Sequence, residues 1–233
     1  MNNINKIFTT FFLLITSQIL FSQAENFGTW TTLSIEKKIN KWDLSTETEL
    51  RTVYYIRLIE RWSLGVSADY NLIKPIKIGI GYDLMSKLDT KYLNYQLRNR
   101  VNGFVSGKFK ISDFSFTLRE RVQVTTKDES GRIKDDETID TYNINPEWSW
   151  RNRLQMSYNI PDFKITPSIS AESFYQLNNP DGNSFDNLRI ILSFAYKYKK
   201  HNLFELYGVH NTEFDSDDAL GKYVLGMSYK YSF

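Results

Sequence analysis

The stretch Gly221-Lys-Tyr-Val-Leu-Gly-Met-Ser-Tyr-Lys-Tyr-Ser-Phe233 ends the chain and decides its fold class. Its large apolar and aromatic residues recur at every second position from Tyr223 to Phe233, and mainly small or basic residues stand between them. A β-strand places two such sets on opposite faces, whereas an α-helix would scatter them around its circumference. A strand with one face in lipid and the other in a polar lumen needs this alternation. The stretch therefore predicts a transmembrane β-strand.

The same stretch stops on its aromatic face, at the free carboxylate of Phe233. It resembles the terminal signature by which bacterial outer-membrane barrels are recognised for assembly. The resemblance implies a location in the outer membrane of a diderm bacterium, among its lipid and lipopolysaccharide. It also implies that the barrel assembly machinery is a partner, which would read Tyr229, Tyr231 and Phe233.

Composition restricts the class of protein. The 233 residues fit one domain, and 29 basic against 27 acidic residues give a nucleic-acid partner no electrostatic support. Cysteine is absent, which excludes disulfides and thiolate metal sites and is compatible with export. No metal-ligand cluster or phosphate-binding glycine loop occurs either, so we predict no metal and no cofactor. The mean hydropathy of -0.43 suits a barrel, because alternating residues cancel in the average.

Residues 1–23 are predicted to be a secretory signal peptide. Lys6 supplies the positive region, the stretch from Ile7 to Phe21 is an apolar core, and Ser22-Gln23-Ala24 offers a small-x-small cleavage site. The apolar run is short for a transmembrane helix and no second run follows, although an N-terminal membrane anchor is the alternative. Residues 24–233 would then form the mature barrel.

Alternation broken by turn residues recurs along the whole mature chain. In the fourth of eleven segments, for example, apolar residues from Ile76 to Leu84 alternate with Lys77, two glycines and Asp83. Tight turns follow the odd segments, and longer polar connections occupy residues 86–90, 127–140, 178–184 and 213–218. Barrels of the outer membrane have short periplasmic turns and long external loops. The loop 127–140 is therefore predicted to lie outside, as a solvated charged loop or, alternatively, as a divalent-cation site.

The segment count leaves the placement of the first segment, Phe27 to Lys38, open: it enters the barrel, it packs as an extra strand, or the chain has one more strand than the pattern shows. Segments two to eleven make ten alternating strands, so the first would have to run from the outer side inward. We predict an all-β transmembrane antiparallel up-and-down barrel of 10–12 strands, because a spanning strand of about 10 residues plus its connection uses about 20 residues. A soluble β-sandwich and a lipocalin-like barrel are alternatives that would turn the apolar faces inward.

Three consecutive segments carry Arg-x-Arg, and these arginines share the polar phase of their strands. Crowded guanidiniums need counter-charges, which other strands supply in the same phase. The lattice is interpreted either as structural filling of a narrow lumen or as a surface for an anionic solute. Its predicted members are Arg98, Arg100, Arg119, Arg121, Arg151, Arg153, Arg189, Glu47, Glu49, Asp69, Asp83, Glu147, Glu172 and Glu205.

The middle residues of the three Arg-x-Arg motifs are polar on the face predicted to meet lipid. Asn99, Glu120 and Asn152 would form a polar ladder on adjacent strands. A charge facing lipid at mid-depth is costly. The ladder is therefore interpreted as a contact with a second copy of the chain or as a protein-covered patch.

Catalysis is not expected, although one candidate residue exists. Only His201 and His210 are present; His201 lies in a basic turn and is expected to be solvated. His210-Asn-Thr212 echoes the His-x-Ser of outer-membrane enzymes that act on lipid, with Thr in place of Ser. A catalytic triad needs a third, orienting group, and the sequence names none for His210. A rim-sited lipid-modifying enzyme is the alternative to a non-enzymatic barrel.

Several short motifs together resemble one family. They are Phe27-Gly-x-Trp30, the Arg-x-Arg strands, Pro167-x-Ile-x-Ala-Glu172-x-Phe174-Tyr175, Asn187-Leu-Arg189 and the aromatic C-terminus. In these the chain resembles the uncharacterised outer-membrane barrels called domain of unknown function 2490, over essentially the whole mature chain. The resemblance implies a barrel in which Glu172 and Arg189 recur, but no activity. The predicted role is structural, or that of a narrow solute- or ligand-binding barrel.

Overall fold

A computed structural model describes residues 27–214 and 222–233. The predicted signal peptide, residues 1–23, and most of the predicted connection 213–218 lie outside the described residues. No described stretch forms a helix long and apolar enough to cross a membrane. The described strands are β1 (Phe27–Ile39), β2 (Trp42–Val53), β3 (Leu58–Ile73), β4 (Ile76–Asp89), β5 (Asn94–Ile111), β6 (Phe114–Lys127), β7 (Glu147–Tyr158), β8 (Ile165–Gln176), β9 (Phe185–Tyr198), β10 (Asn202–Glu213) and β11 (Lys222–Ser232).

The eleven strands close into one barrel, which confirms the predicted fold and strand number. Each strand pairs antiparallel with its neighbours in sequence, and β1 closes the barrel by pairing parallel with β11, from Phe27↔Tyr223 to Glu36↔Ser232. This parallel seam corrects the wholly antiparallel prediction. With an odd number of alternating strands the first and last run the same way, so the seam must be parallel. The first segment therefore enters the barrel as a full strand.

The two ends of the barrel differ in their connections. One end, the turn end, has two-residue links such as Asn40-Lys41 and Lys74-Pro75, and a six-residue link, 159–164, where a tight turn was predicted. The other end, the loop end, carries residues 128–146 and 177–184. The predicted connection 86–90 is mostly strand, because β4 continues to Asp89. That extension carries the side chains of Lys87 and Asp89 into the mouth of the barrel at the loop end.

The barrel is apolar outside and polar inside. Ile80 and Val101 are 67% and 58% exposed on the outer face, whereas Gln96 and Glu172 are each 3% exposed inside. Buried apolar side chains among the described residues are few: Trp30, Met85, Val209 and Val224. This arrangement is the reverse of a soluble domain and excludes the β-sandwich and lipocalin-like alternatives, which would bury the apolar faces. A transmembrane barrel needs this distribution of side chains.

Candidate functional site

The lumen is lined by arginines from several strands. The Arg-x-Arg residues project inward, and the register sets Arg119 opposite Arg153 and Arg121 opposite Arg151 on β6 and β7. Like charges that face each other across two strands are destabilising. The wall therefore depends on carboxylates from other strands.

Glu172 on β8 is the first of these carboxylates. It accepts hydrogen bonds from Nη2 of Arg119 and from Nη2 of Arg151, both at 2.9 Å, and Nη1 of Arg189 lies 3.8 Å away. One buried carboxylate thus serves arginines from β6, β7 and β9. Charge-assisted bonds of this kind are about twice as strong as neutral ones.

Glu49 on β2 is the second carboxylate. Arg51 binds it with both Nε, at 2.8 Å, and Nη2, at 3.1 Å, and Arg61 donates a further bond through Nη2. Glu49 was predicted from the sequence as a member of the lattice, whereas Arg51 and Arg61 were not. Arg51 shares the polar phase of Glu49 and was visible in the alternation. Arg61 was hidden because the register shifts after Arg51, which leaves Glu60 as an extra residue in β3.

Aromatic rings separate several of these guanidiniums. The Arg51 guanidinium lies 3.6 Å from the ring centre of Trp30, and that of Arg189 lies 5.1 Å from Trp30 and 4.8 Å from Phe174. Arg151 stacks on Phe174 at 4.4 Å. Cation–π contacts of this kind are favourable, more so when desolvated. We call this group the paired belt; its charged members are Arg51, Arg61, Arg119, Arg151, Arg189, Glu49 and Glu172.

Four other lumenal arginines have no carboxylate within 4.0 Å in the described part of the chain, and we call them the unpaired arginines: Arg98, Arg100, Arg121 and Arg153. Arg100 donates to the Thr125 hydroxyl at 3.2 Å, and Arg153 to the Gln155 amide oxygen at 2.7 Å. Arg121 lies over the Phe104 ring at 5.8 Å. They stand on β5, β6 and β7, side by side along one wall.

The remaining predicted acids do not join the belt. Glu147 pairs with Lys127, 2.7 Å between Nζ and Oε2, and Asp69 lies 3.8 Å from Lys77. Glu205 accepts a bond from the Ser228 hydroxyl at 3.4 Å. Glu47 and Asp83 have no cation within 4.0 Å among the described residues. The Arg/Glu lattice is thus concentrated on two carboxylates.

The loop 128–146 folds inward over the mouth. Arg132, 8% exposed, binds the Asp89 carboxylate and donates from Nη2 to Asp140 at 2.9 Å. The Tyr142 hydroxyl donates to Asp89 at 2.9 Å, and the Tyr142 ring lies 3.9 Å from the Arg132 guanidinium. The prediction of a simply solvated loop is therefore wrong for these side chains. Arg132 and Tyr142 are buried beside β4, where their bonds to Asp89 replace the hydrogen bonds that water would otherwise make.

Asp140 ties the same loop to the β4–β5 connection. Lys91 and Tyr92 donate to its Oδ2 at 2.8 and 2.9 Å, and these bonds lower the pKa of Asp140 to about 2. Asp135, Asp136 and Glu137 are exposed. No grouping of three or more His, Asp or Glu residues that could hold a metal ion occurs in residues 27–214 or 222–233. The acidic loop thus consists of an anchored base and an exposed tip.

The two histidines have different surroundings. His210 lies 3.2 Å from the Thr212 hydroxyl through Nε2 and packs against Tyr223, while its buried Nδ1 has no partner among the described residues. The orienting member of a triad is thus missing from the described residues. His201 is not simply solvated: its Nδ1 lies 2.5 Å from the Ser232 carbonyl oxygen and its ring stacks on Tyr231.

The predicted polar ladder on the outer face is only partly formed. Glu120 and Asn152 pair directly across β6 and β7, but Asn99 stands opposite Thr126 and Glu120 stands opposite Val105. The middle residues of the Arg-x-Arg motifs on β5 and β6 are therefore not neighbours, because the stagger between adjacent strands of the barrel offsets the two motifs.

The polar groups of that face bind partners within the chain. Glu120 accepts a bond from Trp150 Nε1 at 2.8 Å, and the Asn152 amide, in the orientation that satisfies both of its ends, donates to the same carboxylate. Tyr82 donates to Asn99 at 2.6 Å. The contact with a second copy stays a prediction.

The C-terminal residues of the proposed assembly signal lie at the turn end. The Tyr229 hydroxyl donates to Asn202 at 2.7 Å, and Tyr231 meets the Phe233 ring at 5.0 Å between centroids. Phe233 is 65% exposed, and its amide donates to the Glu36 carbonyl at 2.9 Å. The aromatic end is thus accessible on the completed barrel.

Known structures share the fold. The NanC porin superposes with a TM-score of 0.50 at 12% identity, over 84% of this chain and 92% of that one, which shows a porin-like barrel and nothing finer. An anion-selective porin from Comamonas acidovorans reaches a TM-score of 0.37 at 9% identity, over 83% of this chain and 53% of that one, too low for any argument. No curated protein matches the chain. Residues 27–220 match the family described as a protein of unknown function, DUF2490, and the chain belongs to that family.

Proposed function

We propose that this protein is a narrow, anion-conducting β-barrel of the bacterial outer membrane. The observation that carries the proposal is the row of unpaired arginines on β5, β6 and β7. Structural filling of the lumen accounts for the paired belt, where two carboxylates hold five guanidiniums. It does not account for four further guanidiniums with no carboxylate within 4.0 Å among the described residues.

The location in the outer membrane rests on three supports. The outer face of the barrel is apolar, the connections are short at one end and long at the other, and β11 carries aromatic and apolar side chains at every second position. The predicted signal peptide would deliver the chain for export. The location is tested by gel electrophoresis of cell fractions. Recovery of the protein in the membrane fraction, with a gel mobility that changes on heating, would support it. Recovery in the soluble fraction alone would refute it.

The chemistry of arginine favours an anionic solute. A guanidinium stays charged at any physiological pH and offers a planar fork of donors that fits a carboxylate or a phosphate. Rings of arginine and lysine select anions in pores. Charged side chains from seven strands, β2, β3 and β5 to β9, share the lumen, which favours a path for small ions over one for large solutes.

A non-enzymatic role is part of the proposal. It is supported by the buried Nδ1 of His210, which no described residue binds, since an unoriented imidazole makes a poor general base. A lipase assay of the refolded protein tests it, with His210→Ala as the control. Hydrolysis that disappears in the variant would favour the rim-sited lipid-modifying enzyme instead.

Conductance in planar bilayers tests the central claim. Across a KCl gradient the refolded barrel is expected to show a reversal potential with the sign of chloride permeation. The double variant Arg100→Gln/Arg121→Gln removes two unpaired charges and is expected to shift that potential toward zero. The matched control Lys164→Gln/Lys200→Gln removes two exposed charges at the turn end and should leave the potential unchanged. A barrel that conducts at no voltage, or that prefers potassium, would overturn the proposal.

A further inference from the structure

A cavity of about 380 Å³ lies at the mouth of the barrel, at the loop end. Its size falls within the range of roughly 300–1,000 Å³ that is usual for small-molecule sites. The cavity is lined by the ends of β2, β3, β4, β5, β10 and β11 and by the loop 128–146. Its charged lining residues are Glu60, Lys87, Asp89, Arg98, Arg132, Glu213 and Lys222.

Most of these charges cancel in pairs. Lys222 on β11 donates to the Glu60 carboxylate across the mouth at 2.8 Å, and Arg132 binds Asp89. Glu213, at the rim of the cavity, is exposed and has no cation within 4.0 Å among the described residues.

Lys87 and Arg98 are the two cations left over. Neither has a carboxylate within 4.0 Å among the described residues, and Nε of Arg98 is buried without a hydrogen-bond partner. The Lys87 ammonium is attracted by the Glu60 carboxylate, which Lys222 already binds, and is repelled by Arg98, by Arg61 and by Lys222. Two neighbouring cations with free donors, facing the same cavity, form a receptor for a negatively charged group.

Apart from Thr90, the rest of the lining is apolar or aromatic. Val53, Tyr54 and Leu88 border the cavity on the β2 and β4 side, and Tyr142 borders it from the loop. Small-molecule sites combine such surfaces with a few polar groups that fix orientation. An inorganic ion would use only the two cations, whereas an organic anion would also cover the apolar lining.

The loop 128–146 is tied to one of the two cations. Arg98 lies 3.4 Å from the Tyr142 hydroxyl through Nη2, and that hydroxyl donates to Asp89, which also holds Arg132. A group bound at Arg98 would therefore meet the loop directly. The loop thus forms the roof of the cavity.

We propose that this mouth cavity binds a small organic carboxylate between Lys87 and Arg98, beneath the loop 128–146. The inference rests on the proposed anion conduction and deepens it, because it places the first binding step at Arg98, the unpaired arginine that lines the mouth. The carboxylate would accept hydrogen bonds from the Lys87 ammonium and the Arg98 guanidinium. Its organic part would lie against the apolar lining.

Titration calorimetry on the full refolded chain in detergent tests the site, with benzoate as the probe. Benzamide has the same shape without the charge, and inorganic phosphate has charge without an apolar part. Saturable benzoate binding is expected, with affinities for benzamide and phosphate at least about tenfold weaker. Arg98→Gln and Lys87→Gln should each weaken benzoate binding about tenfold or more, the equivalent of about 1.4 kcal/mol. Lys164→Gln should leave it unchanged.

Three outcomes would overturn the site: benzoate that does not saturate, benzamide or phosphate that binds as tightly, or variants that bind as the parent does. A gel mobility that changes on heating verifies that each variant is folded. Arg98→Gln and Lys87→Gln should both fold, because each substitution removes repulsion between neighbouring cations. Conductance is measured on the same preparations. Selective chloride conduction without benzoate binding would refute the site alone. Benzoate binding in a barrel that does not conduct would refute the proposed function and leave the site standing.

Discussion

The paired belt and the mouth of the barrel use the same residue types to different effect. In the belt, Glu172 and Glu49 each collect two or more guanidiniums within 4.0 Å, and Trp30 and Phe174 fill the space between them. At the mouth, Lys87 and Arg98 face a cavity, and neither has a carboxylate within 4.0 Å in the part of the chain that the structure describes.

The difference shows what pairing does in a barrel. A guanidinium that binds a carboxylate and packs against an aromatic ring uses its hydrogen-bond donors within the protein and stabilises the wall of the barrel. A cation that faces open space keeps its donors for a solute. Breaking each region in turn should therefore produce effects of different kinds and of different sizes.

Glu172→Gln should have the largest effect. It removes the carboxylate that holds Arg119, Arg151 and Arg189 and leaves three like charges together in the lumen. Breaking a buried ion pair on one side costs about 3–5 kcal/mol. Urea unfolding in lipid should show a loss of that order in the free energy of unfolding. Glu137→Gln, at an exposed loop tip, is the control, and a loss below about 1 kcal/mol would mean that the belt does not hold the barrel together.

Asp89→Asn should release the loop 128–146 while leaving the barrel folded. The substitution weakens the bonds from Arg132 and Tyr142, and a hydrogen bond to a charged group contributes about 1.5–3 kcal/mol. Limited trypsin cleavage at Lys134 should accelerate about tenfold or more relative to the parent. Glu137→Gln, which alters an exposed acid in the same loop without changing the residues beside the Lys134 bond, should cleave at the parental rate. Equal rates for both variants would show that Asp89 does not anchor the loop.

Acid should loosen the same loop through Asp140. Its pKa is lowered to about 2 by the bonds from Lys91 and Tyr92, against an ordinary value of 3.8. The ionised form is the bonded one, so the stabilisation is complete above pH 3.8 and is lost as the pH falls through about 2. The chain has no cysteine, so a single Ser130→Cys spin label reports loop mobility without interference. Mobility should stay constant from pH 7 to pH 4 and rise below that; a rise near pH 5 would contradict the assignment.

Glu120→Leu on the outer face should have the smallest effect. Trp150 and Asn152 already satisfy this carboxylate within the chain, so we expect the mass of the detergent particle by light scattering to stay the same. The free energy of unfolding should change by less than about 1 kcal/mol, since acidic residues on a lipid face cost less than basic ones. A dimer that falls apart in the variant would instead establish the predicted contact with a second copy.

The strands were predictable because their signal is local. Alternation at period two is written into each segment, as in Tyr223 to Phe233, and it sets which face of a strand is polar before any partner is known. The arginines of β5, β6 and β7 were assigned to the lumen on that ground alone. Alternation fails where the backbone departs from it: the irregularity between β2 and β3 hid Arg61, and the polar end of β4 was taken for a loop, which hid Lys87 and Asp89.

Sequence by itself thus determined a two-faced, arginine-lined barrel that ends on an aromatic strand. Only the tertiary structure decided that β1 closes the barrel in parallel against β11, that Glu172 rather than Glu47 gathers arginines, and that Tyr142 roofs the mouth. Each of these depends on residues far apart in the chain. The stagger of the strands and the reach of long side chains bring them together, and neither quantity is contained in the alternation of one segment.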